Sequence, residues 1–283
     1  MKFICFGSGS SGNCYYLQAA DYGIIIDAGI GVRQFKKYFR DYGLSLARIK
    51  AMLITHDHAD HVKASGAISN ELGIPVYATS LVHQGIKRNY CITKKVDERR
   101  VRNFEKGETF ELGPFRILPF NVPHDSLDNS GYFITYRGRS FCLMTDAGHV
   151  TDEMAGFMEK ADYLVVEANY DETMLQHGPY PPFLKERIAC GTGHLSNSET
   201  ARQLAAHLNR EARHVWLCHL SEENNHPSLA FKTVEAELRQ AGYPVGATLQ
   251  LETLRRQSPS PLYDLDEPCD ENPAEDSHQP VIA

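Results

Sequence analysis

Four side chains that bind metals well, His56, His58, Asp60 and His61, stand within six consecutive positions. The apolar run Ala51 to Ile54 leads into them and reads as a short buried strand. Clustered imidazoles and carboxylates are costly, because each must be desolvated and like charges repel unless something compensates them. A divalent cation does so. Neutral imidazole nitrogens with carboxylate oxygens suit zinc, manganese or iron better than calcium or magnesium. Other residues of the same chemistry stand at the ends of further apolar runs: His124, Asp146, Glu167 and His219. His194 lies just before Ser196, which forms a capping box with Glu199. The free N–H groups and dipole of such a helix start favour an anion, and Ser196 is the expected substrate contact there.

These residues need a frame. Strands are expected at residues 2–6, 14–18, 23–27, 51–54, 75–78, 108–112, 115–121, 131–136, 140–145, 162–167, 215–218 and 248–254. Helical spacing marks 31–42, 64–72, 81–90, 196–209 and 227–240. Short helices are expected within 171–190, interrupted by Gly178-Pro179-Tyr180-Pro181-Pro182. The mixture is an α/β chain with its chemistry at strand ends. Residues 94–104 read as an irregular basic stretch. Lys87, Arg88, Lys94, Lys95, Arg99, Arg100 and Arg102 stand there against only Asp97 and Glu98, with Tyr90 between them. Such a run suits a solvated face and a phosphate backbone equally well; Lys94, Lys95, Arg99 and Arg100 are the candidates for backbone contact.

Composition sets the outer bounds. With 283 residues, 42% hydrophobic, the chain can bury a sizeable core. No window approaches the ~18 apolar residues that a membrane span needs, and the opening Met1 to Phe6 is too short for a signal peptide. Seven scattered cysteines without a CxxC pair fit reduced thiols in a cytoplasm. The net charge of −7 is local, because the acids beyond Gln257 (Asp264, Asp266, Glu267, Asp270, Glu271, Glu275, Asp276) account for it. A charge-balanced body accepts a polyanionic substrate. Residues 1–256 are expected to form the catalytic domain. Residues 257–283, acidic and proline-containing, are expected to be a disordered tail.

The pattern His56-x-His58-x-Asp60-His61 at a strand end resembles the metal-binding signature of the metallo-β-lactamase fold. The opening, a hairpin followed by a strand ending in Asp27-Ala28-Gly29, resembles the start of that fold. The resemblance covers about residues 1–256 and implies a four-layer αββα sandwich, two mixed sheets flanked by helices. It implies two divalent metal ions, zinc or manganese. One would sit on His56, His58 and His124, the other on Asp60, His61 and His219, with Asp146 bridging. Asp27 would support a ligand histidine and fix its tautomer. Two cations about 3.5–4 Å apart can share and acidify one hydroxide, the expected nucleophile, which Asp60 could orient or relieve of a proton.

Thioester hydrolases, lactonases, phosphodiesterases and nucleases of this fold have similar ligands. Asp146 stands where true β-lactamases commonly place a cysteine, which argues against that reading. The order Glu167-Ala168-Asn169, His194-Leu195-Ser196, His219-Leu220-Ser221 resembles the tRNA 3′-processing nucleases, where an extra histidine serves the phosphate. It makes His194 and Glu167 a candidate catalytic pair. As a whole the chain resembles the small bacterial YycJ (WalJ) type, through Gly7-Ser8-Gly9-Ser10-Ser11-Gly12-Asn13, Gly178-Pro179-Tyr180-Pro181 and His219-Leu220-Ser221-Glu222-Glu223-Asn224-Asn225. That implies a cytoplasmic nuclease acting on DNA ends, 5′ to 3′, with DNA favoured over RNA and no membrane partner. Asp146 and His219 are too close in sequence to hold the extra domain with which larger nucleases clamp nucleic acid. The alternatives are a small-molecule cyclic phosphodiesterase and a thioester or lactone hydrolase. A non-enzymatic, metal-stabilised DNA-binding module would predict a broken ligand set, and this set is complete.

Overall fold

The computed structural model describes residues 1–266, which build two seven-stranded sheets around a shared core. Strands β1 (Lys2–Gly7), β2 (Cys14–Ala19) and β3 (Tyr22–Ile26) run antiparallel. Helix α1 (Val32–Asp41) returns the chain so that β4 (Ile49–Leu53) lies parallel to β3. Helices α2 (Ala59–Val62) and α3 (Ser65–Leu72) precede β5 (Val76–Ala78), and α4 (Ser80–Arg88) precedes β6 (Val101–Asn103). The second sheet begins as an antiparallel meander of β7 (Phe110–Leu112), β8 (Phe115–Asn121), β9 (Ser130–Tyr136) and β10 (Arg139–Met144). After α5 (Asp152–Met158) it turns parallel with β11 (Tyr163–Glu167). Helices α6 (Glu172–His177), α7 (Pro182–Ala189) and α8 (Asn197–His207) lead to β12 (His214–Cys218). Helix α9 (Pro227–Gln240) leads to β13 (Gln250–Thr253). Strand β14 (Tyr263–Asp264) then pairs with β1, closing the first sheet.

Side-chain alternation explains the layers. Phe3, Cys5 and Leu17 point into the core between the sheets, where Phe141, Val165 and Trp216 meet them. Ile4, Phe6 and Tyr16 point the other way, onto Phe35 and Phe39 of α1. On the far side, Leu164, Val166, Val215 and Leu217 pack against Leu204 of α8 and Val234 and Leu238 of α9. A strand covered on both faces reads as a continuous apolar run, as β12 does. The result is the four-layer αββα sandwich, and its parallel strands carry their carboxyl ends toward the residues of interest.

Three stretches differ from expectation. Val101–Asn103, inside the supposedly irregular basic stretch, pairs in parallel with β5. The short α5 has no long periodic pattern, yet Thr151 caps it and Met154, Phe157 and Met158 are buried by it. Residues 257–266, assigned to the tail by composition, pack on the body: Ser260 and Leu265 are buried, and Tyr163 Oη donates to the Leu265 carbonyl (2.6 Å). Composition fails there because two anchors and one distant strand suffice to hold an acidic segment. Residues 267–283, the remainder of the expected tail, lie outside the described residues. Among those described, Cys5, Cys14, Cys91, Cys142, Cys190 and Cys218 are free, and no helix is long and apolar enough to cross a membrane.

Leu265→Ala should therefore destabilise the fold by about 2–5 kcal/mol, the usual cost of emptying a buried leucine site. A urea midpoint identical to the wild type would show that this segment contributes nothing.

Candidate metal centre

Strand β4 ends at Leu53, and the chain then turns through His56 to α2, whose N-cap is His58. Asp27 follows β3, Asp146 follows β10 and His219 follows β12, each in the left-handed region, with φ of 61°, 55° and 54°. Such a conformation costs a residue with a Cβ about 1–2 kcal/mol. The other non-glycine residues described with positive φ, Ala20 and Arg137, merely turn hairpins. Strain at three chemistry-bearing residues is the signature of a built site. Gly29 permits the closest approach, since a Cβ there would stand 1.6 Å from the Asp60 carbonyl oxygen. That carbonyl accepts from the Asn13 N–H (2.7 Å), and the His61 carbonyl accepts from the Ala28 N–H (2.7 Å), which fastens the ligand loop to the first sheet.

The donor atoms of His56, His58 and His124 all lie within 4.8 Å of one another, as do those of Asp60, His61 and His219, and those of His56, His61 and Asp146. Asp146 stands between the clusters: its Oδ2 is 3.3 Å from His61 Nε2 and its Oδ1 3.8 Å from His124 Nε2. His56 Nε2 is buried without a hydrogen-bond partner. A cation bound there would satisfy an atom otherwise costly to bury.

Partners behind the imidazoles set their tautomers. Asp27 Oδ2 accepts from His61 Nδ1 (2.7 Å), while its Oδ1 accepts from the Thr55 N–H (2.9 Å). The Gly193 carbonyl accepts from His124 Nδ1 (3.0 Å), and Glu167 Oε1 from His219 Nδ1 (2.9 Å). Assigning the Nδ1 protons to these bonds leaves each Nε2 lone pair facing the cluster. Burial, with the His61 charge beside it, holds the His56 imidazole well below its usual pKa. Burial also opposes charge on His61 and His219, but Asp146 and its fellow carboxylates outweigh it. His61 is raised well above the ordinary range and His219 is pushed up to about 10. The centre thus carries more negative charge than its neutral imidazoles can balance, which again fits cations.

Glu167 is fully buried, and all its acceptor capacity is used. Oε1 accepts from His194 Nδ1 (2.9 Å) as well as from His219, and Oε2 accepts from the Ala147 N–H (2.9 Å) and the Leu195 N–H (3.1 Å). Asp146, Glu167, His194 and His219 are close enough to hold an ion. The N–H donors already seated on Glu167 make them a hydrogen-bonded set instead. Burial opposes a charge on His194, and Glu167 outweighs it, raising its pKa. The ring borders a cavity of about 180 Å³ with Ser10, Asn169, Arg187 and Ser221.

Other expected contacts fall elsewhere. Ser196 is buried and its Oγ accepts from the Glu199 N–H (3.1 Å), so the hydroxyl belongs to the cap of α8. Lys94, Lys95, Arg99 and Arg100 are not brought to the cavities at the cluster. Lys95 binds main-chain carbonyls, Arg99 pairs with Asp97, and Arg100 Nε is buried. Sequence reading passed over Asn13, whose Nδ2 is 2.8 Å from His61 Nε2, and Asn169, whose Nδ2 donates to the His219 carbonyl (2.7 Å). Both asparagines stand in the motifs that carried the resemblance, the available signal for them.

The model of a beta-lactamase superfamily domain matches residues 22–220. The chain belongs to the beta-lactamase superfamily. It is similar to the exodeoxyribonuclease WalJ of Streptococcus pneumoniae, 33% identical over 93% of this chain and 98% of the relative. It is also similar to the exodeoxyribonuclease YycJ of Bacillus anthracis, 29% identical over the same shares of both chains. Among solved structures, the metallo-beta-lactamase fold protein YhfI from Bacillus subtilis superposes with a TM-score of 0.65, at 17% identity, over 93% of this chain and all of that one. The protein is thus a beta-lactamase superfamily hydrolase with His/Asp clusters able to bind metal.

Asp27 reaches this centre only through His61 and Thr55. Asp27→Ala should weaken metal binding by about 10–100-fold, read by titration against a competing chelator. Wild-type affinity would remove Asp27 from the site.

Proposed function

We propose that this superfamily member is a dinuclear-metal phosphodiester hydrolase of the cytoplasm, a DNA exonuclease that digests from the 5′ end. Two zinc or manganese ions would be held by His56, His58 and His124, and by Asp60, His61 and His219, with Asp146 between them. When bound, the ions supply Lewis-acid polarisation of water and of a phosphoryl oxygen. The chain supplies the rest. Asp60, the more exposed of the cluster carboxylates, orients the attacking water and accepts its proton. His194 gives its Nδ1 proton to the hydrogen bond with Glu167 and turns Nε2 to the cavity, where it stabilises the developing charge and protonates the departing oxygen.

The observation that carries this reading is the pair His194–Glu167: a buried carboxylate orients an imidazole that borders a cavity and whose ring centroid lies 5.1 Å from that of His124 and 5.3 Å from that of His219. Phosphodiester cleavage spreads negative charge over several phosphoryl oxygens as well as the departing one, more than the single oxyanion of a thioester or lactone, so a cationic donor beside the clusters suits it better. The relatives named exodeoxyribonuclease, similar along nearly the whole chain, support DNA over RNA.

His194→Ala should retain its metal and lose about 10²–10⁴-fold in phosphodiester turnover. Glu167→Gln should lose metal affinity and turnover together, because Glu167 also holds His219. Wild-type turnover in His194→Ala would sink the phosphodiester mechanism. Polarity and polymer are read by digesting 5′- and 3′-labelled DNA and RNA, single- and double-stranded, with metal-reconstituted protein. Release of the 5′ label from DNA first is the expected result; indifference to polymer would overturn the assignment.

A further inference from the structure

Asp57, between two of the cluster histidines, belongs to none of the possible metal groups, yet the mouth of the site is fastened to it. Its carbonyl accepts from Asn89 Nδ2 (2.8 Å) and its Oδ1 from the Leu127 N–H (3.4 Å). A Cβ on Gly85 would stand 2.1 Å from its Oδ2, so α4 packs directly on it. The loop after α4 is also tied from its other flank. Lys95 Nζ donates to the carbonyls of Ile86 (3.2 Å) and Asn89 (2.5 Å), and the Cys91 N–H donates to Asn89 Oδ1 (3.0 Å). A loop held this firmly nonetheless leaves Tyr90 92% exposed.

The large apolar side chains exposed among the described residues are Leu81, Tyr90, Leu127 and Phe183. Two of them, Tyr90 and Leu127, border the same cavity of about 500 Å³ as His58 and Asp60, and Arg88 and Arg187 border it too. Aromatic and aliphatic surface interleaved with guanidinium groups matches a strand that alternates flat bases with phosphates. Preorganised exposure at the mouth of a metal centre has no role in stabilising the fold.

We infer that Tyr90 is a stacking platform for an unpaired nucleobase of the strand being cut, with Leu127 beside the base and Arg88 on the adjoining phosphate. The inference rests on the nuclease reading and deepens it. A base within a duplex has both faces covered by its neighbours and the outermost pair of a blunt end frees only one, so Tyr90 takes a base at the strand end and engages it fully only when that base is unpaired. The preferred substrate is therefore an unpaired DNA end.

The test uses the metal-loaded full chain as wild type, Tyr90→Ala and Tyr90→Phe. The substrates are an end-labelled single-stranded oligonucleotide, the same strand with abasic terminal positions, and a chromogenic phosphodiester. Tyr90→Ala should lower the ratio of kcat/KM on DNA to that on the chromogenic diester by about 10–100-fold, while Tyr90→Phe keeps it. On the abasic strand the wild type and Tyr90→Ala should become equal. An unchanged ratio in Tyr90→Ala, or a deficit that persists on the abasic strand, would overturn the platform. A wild type that hydrolyses the chromogenic diester but no DNA would instead remove the nuclease reading beneath it, a distinguishable failure.

Discussion

One buried carboxylate holds four pieces of this molecule in register. Glu167 ends β11, accepts from the main chain just after β10 and just before α8, and binds the imidazoles of both His194 and His219. An ionised carboxyl taken out of water is affordable only when donors replace its hydration, and here four N–H groups do so. The same bonds position His219, a member of the His/Asp clusters able to bind metal, and His194 beside it. Geometry and electrostatics are therefore one constraint.

Asp27 does for the first sheet what Glu167 does for the second. It is buried, it holds Thr55 and His61, and it sits in strained backbone directly after a strand. The two carboxylates face each other through the histidines they orient. The strain at Asp27, Asp146 and His219 is sustained by well-packed strands on either side, because a sandwich core does not deform to relieve one dihedral angle. The strained residues and the His/Asp clusters are concentrated where strands stop and the main chain must turn.

The mouth follows a different rule. Its shape is set by Asp57, Lys95 and Asn89, residues whose charge or polarity is spent on main-chain partners. In the basic run Lys95 and Arg102 are used in this way and Lys87 and Arg99 pair with acids, while Arg88 faces the cavity beside Tyr90 and Arg187 borders it paired with Asp125. Charge counting along a sequence cannot separate a lysine that binds a carbonyl from one that awaits a phosphate.

What the sequence determined by itself was the presence of His/Asp clusters able to bind metal, and the frame. The dense run His56 to His61 is legible because imidazoles and carboxylates at that spacing have few other uses. The strands are legible because apolar runs bounded by turn residues have one favourable fate. Ser196 was identified as a cap from local spacing, and its hydroxyl does cap α8. The limit of the folded body at the carboxyl end was misjudged because what holds it is not local. Residues 260–265 carry Leu262, Tyr263 and Leu265 within a tail whose average composition is acidic, and partners from far away in the chain hold them, among them β1, Tyr42, Tyr163, Trp216 and Glu252. The place of Asp146 between two clusters was already implied by the family resemblance, whereas tertiary structure alone decided that Glu167 serves two histidines and that Tyr90 stands bare at the mouth. Each depends on atoms brought together from distant strands and loops, and no local pattern of residues encodes such a meeting.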